Sequence, residues 1–167
     1  MEKFLIFVQL TRLNKPIGFF LLFWPCAWGL SLGYYFSTET ILYLKYIILF
    51  FLGAVLMRSA GCIFNDIVDK DLDKKVQRTK KRPIASGKIS VLESFVYIIF
   101  LCLLALLILF QFNWLTIILG ISSMVFAFTY PFMKRITYWP QLFLGLTFNW
   151  GIIMGWTSIT NNISIEP

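Results

Sequence analysis

Gly61-Cys62-Ile63-Phe64-Asn65-Asp66-Ile67-Val68-Asp69-Lys70-Asp71-Leu72-Asp73 carries the chain from a long apolar run directly into a cluster of carboxylates. The apolar run reaches back to Tyr46 and is long enough to cross hydrocarbon. Carboxylates at or near a bilayer are costly and by default mark function. A basic stretch, Lys74 to Lys88, follows at once, so an anionic ligand and a divalent metal could meet here.

The composition agrees with a membrane setting. Of 167 residues, 59% are hydrophobic and 19% aromatic, and the mean hydropathy is +0.78, which excludes an ordinary soluble domain. Hydropathy marks five spans, near 17–35, 46–64, 91–110, 114–130 and 142–159, each close to the ~20 residues a helix needs to cross ~30 Å of hydrocarbon. The expected fold is therefore all-α: one polytopic helical bundle in a lipid bilayer, with no linker long enough to separate domains. The net charge of +7 reads as loop topology rather than as a nucleic-acid surface. With the N-terminus in the cytoplasm, Lys3, Arg12, Lys15, the loop from Lys70 to Lys88, Lys134 and Arg135 share the cytoplasmic side; Lys45 lies outside and Arg58 inside a span. The first span lacks a cleavage site, and Glu2 with its short leader argues against a mitochondrial presequence, so the expectation is a bacterial inner membrane. Residues 2–13 read as an amphipathic helix lying on the membrane surface.

Histidine is absent, which removes His-based zinc sites and catalytic triads. Cys26, Cys62 and Cys102 sit apart in apolar runs and suggest neither disulfide nor redox motif. On a helix turning about 100° per residue, Asn65, Asp66, Asp69 and Asp73 share one face, while Asp71 falls on the far side as a solvated bystander. Clustered acids need a cation, and Mg²⁺ suits one or two carboxylates completed by substrate phosphates; pairing with Lys70, Lys74 and Lys75 is the plainer alternative. Arg58 lies on the same face, ~12 Å deeper. A guanidinium there costs about 2.5–3.5 kcal/mol on insertion scales. Its partner is either an acid of the cluster or the carboxylate of a substrate, which Arg binds in bidentate fashion.

Asn65-Asp66-x-x-Asp69-x-x-x-Asp73 resembles the first aspartate-rich motif of the UbiA superfamily of intramembrane prenyltransferases. Three further stretches resemble its 4-hydroxybenzoate polyprenyltransferase branch: Arg12-Leu13-Asn14-Lys15-Pro16-Ile17-Gly18 with Trp24-Pro25 and Trp28-Gly29; Lys75-x-x-Arg78-Thr79 leading to Arg82-Pro83-x-x-Ser86-Gly87; and Tyr130-Pro131-Phe132-Met133-Lys134-Arg135 with Pro140-Gln141 and Gly145. The resemblance implies about five of the roughly nine membrane helices of that fold, with the motifs at the mouth of a central cavity. It implies transfer of a polyprenyl group from its diphosphate to the ring of 4-hydroxybenzoate in ubiquinone biosynthesis, with Mg²⁺ as cofactor. By position, Asn65, Asp66, Asp69 and Asp73 would hold metal against the diphosphate. Asp66, Asp69, Tyr130 and Lys134 would be catalytic, Arg12, Arg82 and Lys134 would bind diphosphate, and Arg58 would receive the acceptor carboxylate. Phe20, Trp24, Phe126, Phe128 and Trp150 are candidate cavity walls for an allylic cation.

The family's second aspartate-rich motif has no counterpart here, since after Asp73 the only acids are Glu93 and Glu166. Residues 1–167 thus read as a single, C-terminally truncated domain: a fragment, one half of a split enzyme whose C-terminal half is encoded separately, or the product of a decayed frame. A family relative with another acceptor and a non-catalytic membrane subunit are the competing readings.

Overall fold

The computed structural model describes residues 2–37 and 39–163, and of these the side chains of residues 2, 37 and 134 are not described. Among the described residues the chain is helical and has no strand. The helices are α1 (Glu2–Thr11), α2 (Ile17–Ser37), α3 (Thr40–Val68), α4 (Lys70–Lys75), α5 (Val91–Leu109), α6 (Trp114–Ile136) and α7 (Pro140–Thr160). Five of them, α2, α3, α5, α6 and α7, are long and apolar enough to cross a membrane, matching the five expected spans.

The second span differs in length. α3 runs for 29 residues, ~43 Å at 1.5 Å per residue, well beyond the ~30 Å hydrocarbon core. The run holds no proline, and its Leu, Ile and Ala residues continue the helix past the apolar window. The Asn65–Asp66 end therefore stands beyond, or at the edge of, the hydrocarbon that the rest of α3 fills. The helix does not run on unbroken through Asp73, as the face argument assumed. Asp69 (φ −89°, ψ 5°) closes α3 and opens α4, although Asp69 N–H still donates to Asn65 O at 2.9 Å and Asp73 N–H to Asp69 O at 2.8 Å.

α1 is more than a surface helix. Leu10 is fully buried against Ala60, Ile63, Ile84, Ile98 and Leu101, with Ile6 and Phe7 beside it, whereas Phe4 and Leu5 stay exposed. One side docks on α3 and α5, which fixes where the chain leaves the helix at Arg12. The other remains apolar and outward, as an interfacial helix requires. α5 starts on a capping box, with Ser90 Oγ accepting from Glu93 N–H at 3.1 Å and Glu93 Oε2 accepting from Ser90 N–H at 3.0 Å. Such reciprocal bonds satisfy two otherwise orphaned donors.

α2 and α7 meet through glycines. A Cβ on Gly29 would strike Ile152 O, one on Gly155 would strike Cys26 O, and one on Gly151 would lie 2.6 Å from Cys26 Sγ. Small residues are what lets membrane helices approach backbone to backbone. At one end of the bundle Asn113 donates to Thr157 O (2.7 Å) and Ser158 O (3.0 Å) while accepting from Thr116 N–H (2.9 Å). At the other end lie the α1–α2 linker, the acidic end of α3 and the 76–90 loop.

Candidate active site

The acidic end of α3 is met by arginines from three directions. Arg12 follows the last residue of α1 and has φ 54°, a left-handed conformation that is strained for a residue with a side chain and is seen where tertiary contacts enforce it. Its Nη2 donates to Asp66 Oδ1 at 2.6 Å. Arg82 comes from the loop, ahead of a turn whose Gly87 has φ +75°, a position suited to glycine. Its Nη1 donates to Asp66 Oδ1 at 3.1 Å and to Asp73 Oδ2 at 2.7 Å. Asp66 is 2% exposed and Asp73 7%, so both carboxylates are removed from water and held by guanidinium groups, the arrangement that buried charges require.

The remaining two oxygen-bearing residues face another partner. Asn65 Nδ2 donates to Asp69 Oδ2 at 3.1 Å. Arg135 Nη2 from the end of α6 donates to Val68 O at 2.9 Å and Asp69 Oδ1 at 3.3 Å. The turn at Asp69 is what divides the cluster: Asp66 and Asp73 come together on Arg82, while Asn65 and Asp69 come together beside Arg135. Asp71 points away, with its side chain 87% exposed and 3.0 Å from Lys74 Nζ. That hydrogen bond holds its carboxyl below the usual carboxylate range.

Among the described residues no group of three or more His, Cys, Asp or Glu side chains converges to hold a metal. The donor set is nevertheless all hard oxygen. Two carboxylates meet at Asp66 and Asp73, and an amide and a carboxylate meet at Asn65 and Asp69. This chemistry fits Mg²⁺ bound through one or two carboxylates, with its other positions filled by phosphate oxygens and water.

Two adjoining spaces open beside this cluster. A cleft of ≈ 490 Å³ is lined by the cations Arg12, Lys15, Arg78, Lys81 and Arg82, with Asp66 the single carboxylate among its lining residues. Such an excess of one sign focuses the field and draws in anions. A second space of ≈ 410 Å³ is bounded by Arg12, Lys15, Gly18, Phe19 and Arg58, with no acid in its lining. Arg12, Asn14 and Lys15 line both, so they form a shared wall. Arg58 is half-buried and makes no ion pair or hydrogen bond with the described residues. Of the two partners open to it from the sequence, the acid of the cluster is not the one it takes.

Tyr130 and Lys134 lie one turn apart on α6, with Tyr130 half-buried and the Lys134 side chain outside the described residues. α6 reaches the acidic end of α3 through Phe128 and Phe132, whose rings meet Phe64 edge-on at 4.9 and 6.1 Å. Of the candidate wall aromatics, Phe128 is the one that packs at this end of α3; the others pair with one another. Phe20 stacks on Trp24 at 6.4 Å and Phe126 meets Trp150 at 4.9 Å, and Phe19 is the aromatic lining the Arg58 cavity. Four cations at the site, Lys15, Arg78, Lys81 and Arg135, carried no assigned role in the sequence. Their presence inside recognisable motifs, or for Lys81 between two of them, was the available signal, but which acid or cleft each would meet depends on tertiary structure.

Residues 22–167 match the model of the UbiA prenyltransferase family. Similar curated proteins include the mitochondrial 4-hydroxybenzoate polyprenyltransferases of Drosophila pseudoobscura pseudoobscura (47% identical over 161 residues, 95% of this chain and 40% of the relative) and Arabidopsis thaliana (47% over 158 residues, 95% and 38%). The human protein of the same name is 50% identical over 153 residues, 92% of this chain and 41% of the relative. The chain thus spans about two fifths of the length of these relatives. No solved structure matches. The relatives are named mitochondrial, which overturns the expectation of a bacterial inner membrane. Charge bias sorts loops between two faces but does not name the compartment. With four motifs in order and a family match over most of its length, the chain belongs to the UbiA prenyltransferase family.

Proposed function

We propose that this protein takes part in transferring a polyprenyl group from its diphosphate to the ring of 4-hydroxybenzoate, in a mitochondrial membrane, on the route to ubiquinone. One observation carries the reading: Arg58, without an ion pair or hydrogen bond among the described residues, lies beside an acid-free cavity that shares its wall with a cleft of five cations. The names of the relatives support the same substrates.

In this reading Arg12, Lys15 and Arg82 receive the diphosphate, and Tyr130 and Lys134 of α6 are the further residues assigned to it. Arg58 receives the acceptor carboxylate as a bidentate pair. The C–O bond to diphosphate breaks with its electron pair leaving on the diphosphate, and positive charge preorganised at that oxygen lowers the barrier. The electron-rich phenol ring then forms the new C–C bond and loses its ring proton to the released diphosphate. Mg²⁺ held by Asp66 and Asp73, or by Asn65 and Asp69, together with diphosphate oxygens would supply further neutralisation of the leaving group. A segment bearing a second acidic motif, in the same frame or separately encoded, would complete the charge balance.

The test is acceptor kinetics in membranes carrying the protein. Charge-assisted hydrogen bonds are worth about 1.5–3 kcal/mol, so Arg58→Gln is expected to raise KM for 4-hydroxybenzoate roughly 10- to 100-fold. KM for the prenyl diphosphate should stay nearly unchanged. An unchanged KM for 4-hydroxybenzoate would remove Arg58 from acceptor binding.

A further inference from the structure

The helical glycines of this chain fall into distinct groups. Gly53, Gly61 and Gly145 face open space; Gly29, Gly33, Gly151 and Gly155 face another helix; Gly120 faces Leu109. Gly18 alone among the described glycines faces a charged side chain. A Cβ built there would lie 2.7 Å from Arg58 Nε, 3.2 Å from its Nη2 and 3.3 Å from its Cζ. All three nearest atoms belong to one guanidinium.

We infer that Gly18 is a positioning residue for Arg58. The space left by its missing side chain is where the guanidinium lies, so Gly18 sets where the acceptor's anionic group is held. The inference rests on the reading of Arg58 as the carboxylate receiver. Gly18 sits in the first turn of α2, in ordinary helical backbone, where alanine is the better helix former. Its use is therefore room rather than backbone freedom. The neighbouring atoms are the far end of a flexible chain, so alanine would displace the guanidinium rather than break the bundle. Arg58 has no hydrogen bond among the described residues to hold it in register, and contact with α2 takes that part. Small displacements of a binding group matter because productive geometry is narrow. Gly18 thereby fixes how far into the cavity a carboxylate-bearing ring must reach to meet its charge partner, which makes it a determinant of acceptor choice.

A double-mutant cycle tests this, with Gly18→Ala, Arg58→Ala and the pair compared with the unchanged protein in membranes. The readouts are kcat and KM for 4-hydroxybenzoate, its neutral analogue 4-hydroxybenzamide, and geranyl diphosphate. Gly18→Ala is expected to raise KM for 4-hydroxybenzoate about tenfold, to leave KM for geranyl diphosphate within about twofold, and to erode the preference for carboxylate over amide. Added to Arg58→Ala, it should bring no further loss, because groups in contact are non-additive. An Arg58→Ala protein with unchanged KM for 4-hydroxybenzoate sinks the carboxylate reading and the inference with it. A raised KM in Arg58→Ala with no change in Gly18→Ala sinks the inference alone, as does an equal Gly18→Ala penalty in both backgrounds. Thermal unfolding in detergent covers a variant that does not fold. Folding restored by adding Arg58→Ala supports the contact, and failure in both backgrounds overturns it.

Discussion

Arg82→Gln is expected to lower the midpoint of thermal unfolding in detergent by about 4–12 °C. Arg82 Nη1 bridges Asp66 and Asp73, whose side chains are 3% and 9% exposed. Removing it leaves Asp73 without its guanidinium partner and Asp66 with Arg12 alone. Breaking a buried pair costs about 3–5 kcal/mol. Arg82 itself is 27% exposed, so screening by water reduces the expected cost to about 2–3 kcal/mol, and a chain of this size shifts by ~2–4 °C per kcal/mol. Adding Asp73→Asn should recover part of the loss, since it removes the carboxylate left unpaired. Binding of inorganic diphosphate should weaken in both proteins. A midpoint moved by less than ~1 °C would mean that water, rather than Arg82, balances these acids.

Gly155→Leu is expected to have the larger structural effect. The new Cβ would overlap Cys26 O and lie 2.6 Å from Leu30 N, atoms of the α2 backbone that no rotamer change can move. Overpacking costs typically 1–3 kcal/mol where side chains can yield; here a whole helix must retreat, so loss of most folded protein is expected. Because α2 also carries Gly18, its retreat would open the Arg58 cavity as well. Gly145→Ala is the control: nothing lies within 4 Å of its Cβ, so it should be silent. Recovery of folded protein from detergent, read by size-exclusion profile and resistance to protease, distinguishes the two.

The bundle could be read from sequence because hydrophobic runs near 20 residues have few other uses. The ends were less legible. Nothing local announces that α3 continues from Thr40 to Val68, since the window for a span and the length of a helix are different quantities. Helical spacing puts Asn65, Asp66, Asp69 and Asp73 on one face and Asp71 on the other; the fold keeps Asp71 apart and Asp66 with Asp73. Spacing could not foresee that the turn at Asp69 would direct that carboxylate and Asn65 towards Arg135. α1 looked like a surface helix because its apolar side was visible while its docking partners, Ile63 and Leu101, lie far along the chain. Which aromatics wall a cavity is not legible for the same reason: in a membrane, rings serve lipid, packing and interface alike, and sequence does not say which.

The decisive measurement is Mg²⁺-dependent prenylation of 4-hydroxybenzoate in membranes carrying the Asp66→Ala or the Asp71→Ala protein. Asp66 is buried between Arg12 and Arg82 at the head of the cationic cleft, and Asp71 is turned to solvent. Activity should fall at least ~100-fold in the first and stay within about twofold of normal in the second, with protein levels matched. Equal losses in the two, or normal activity without Asp66, would contradict a reaction centred on this cluster.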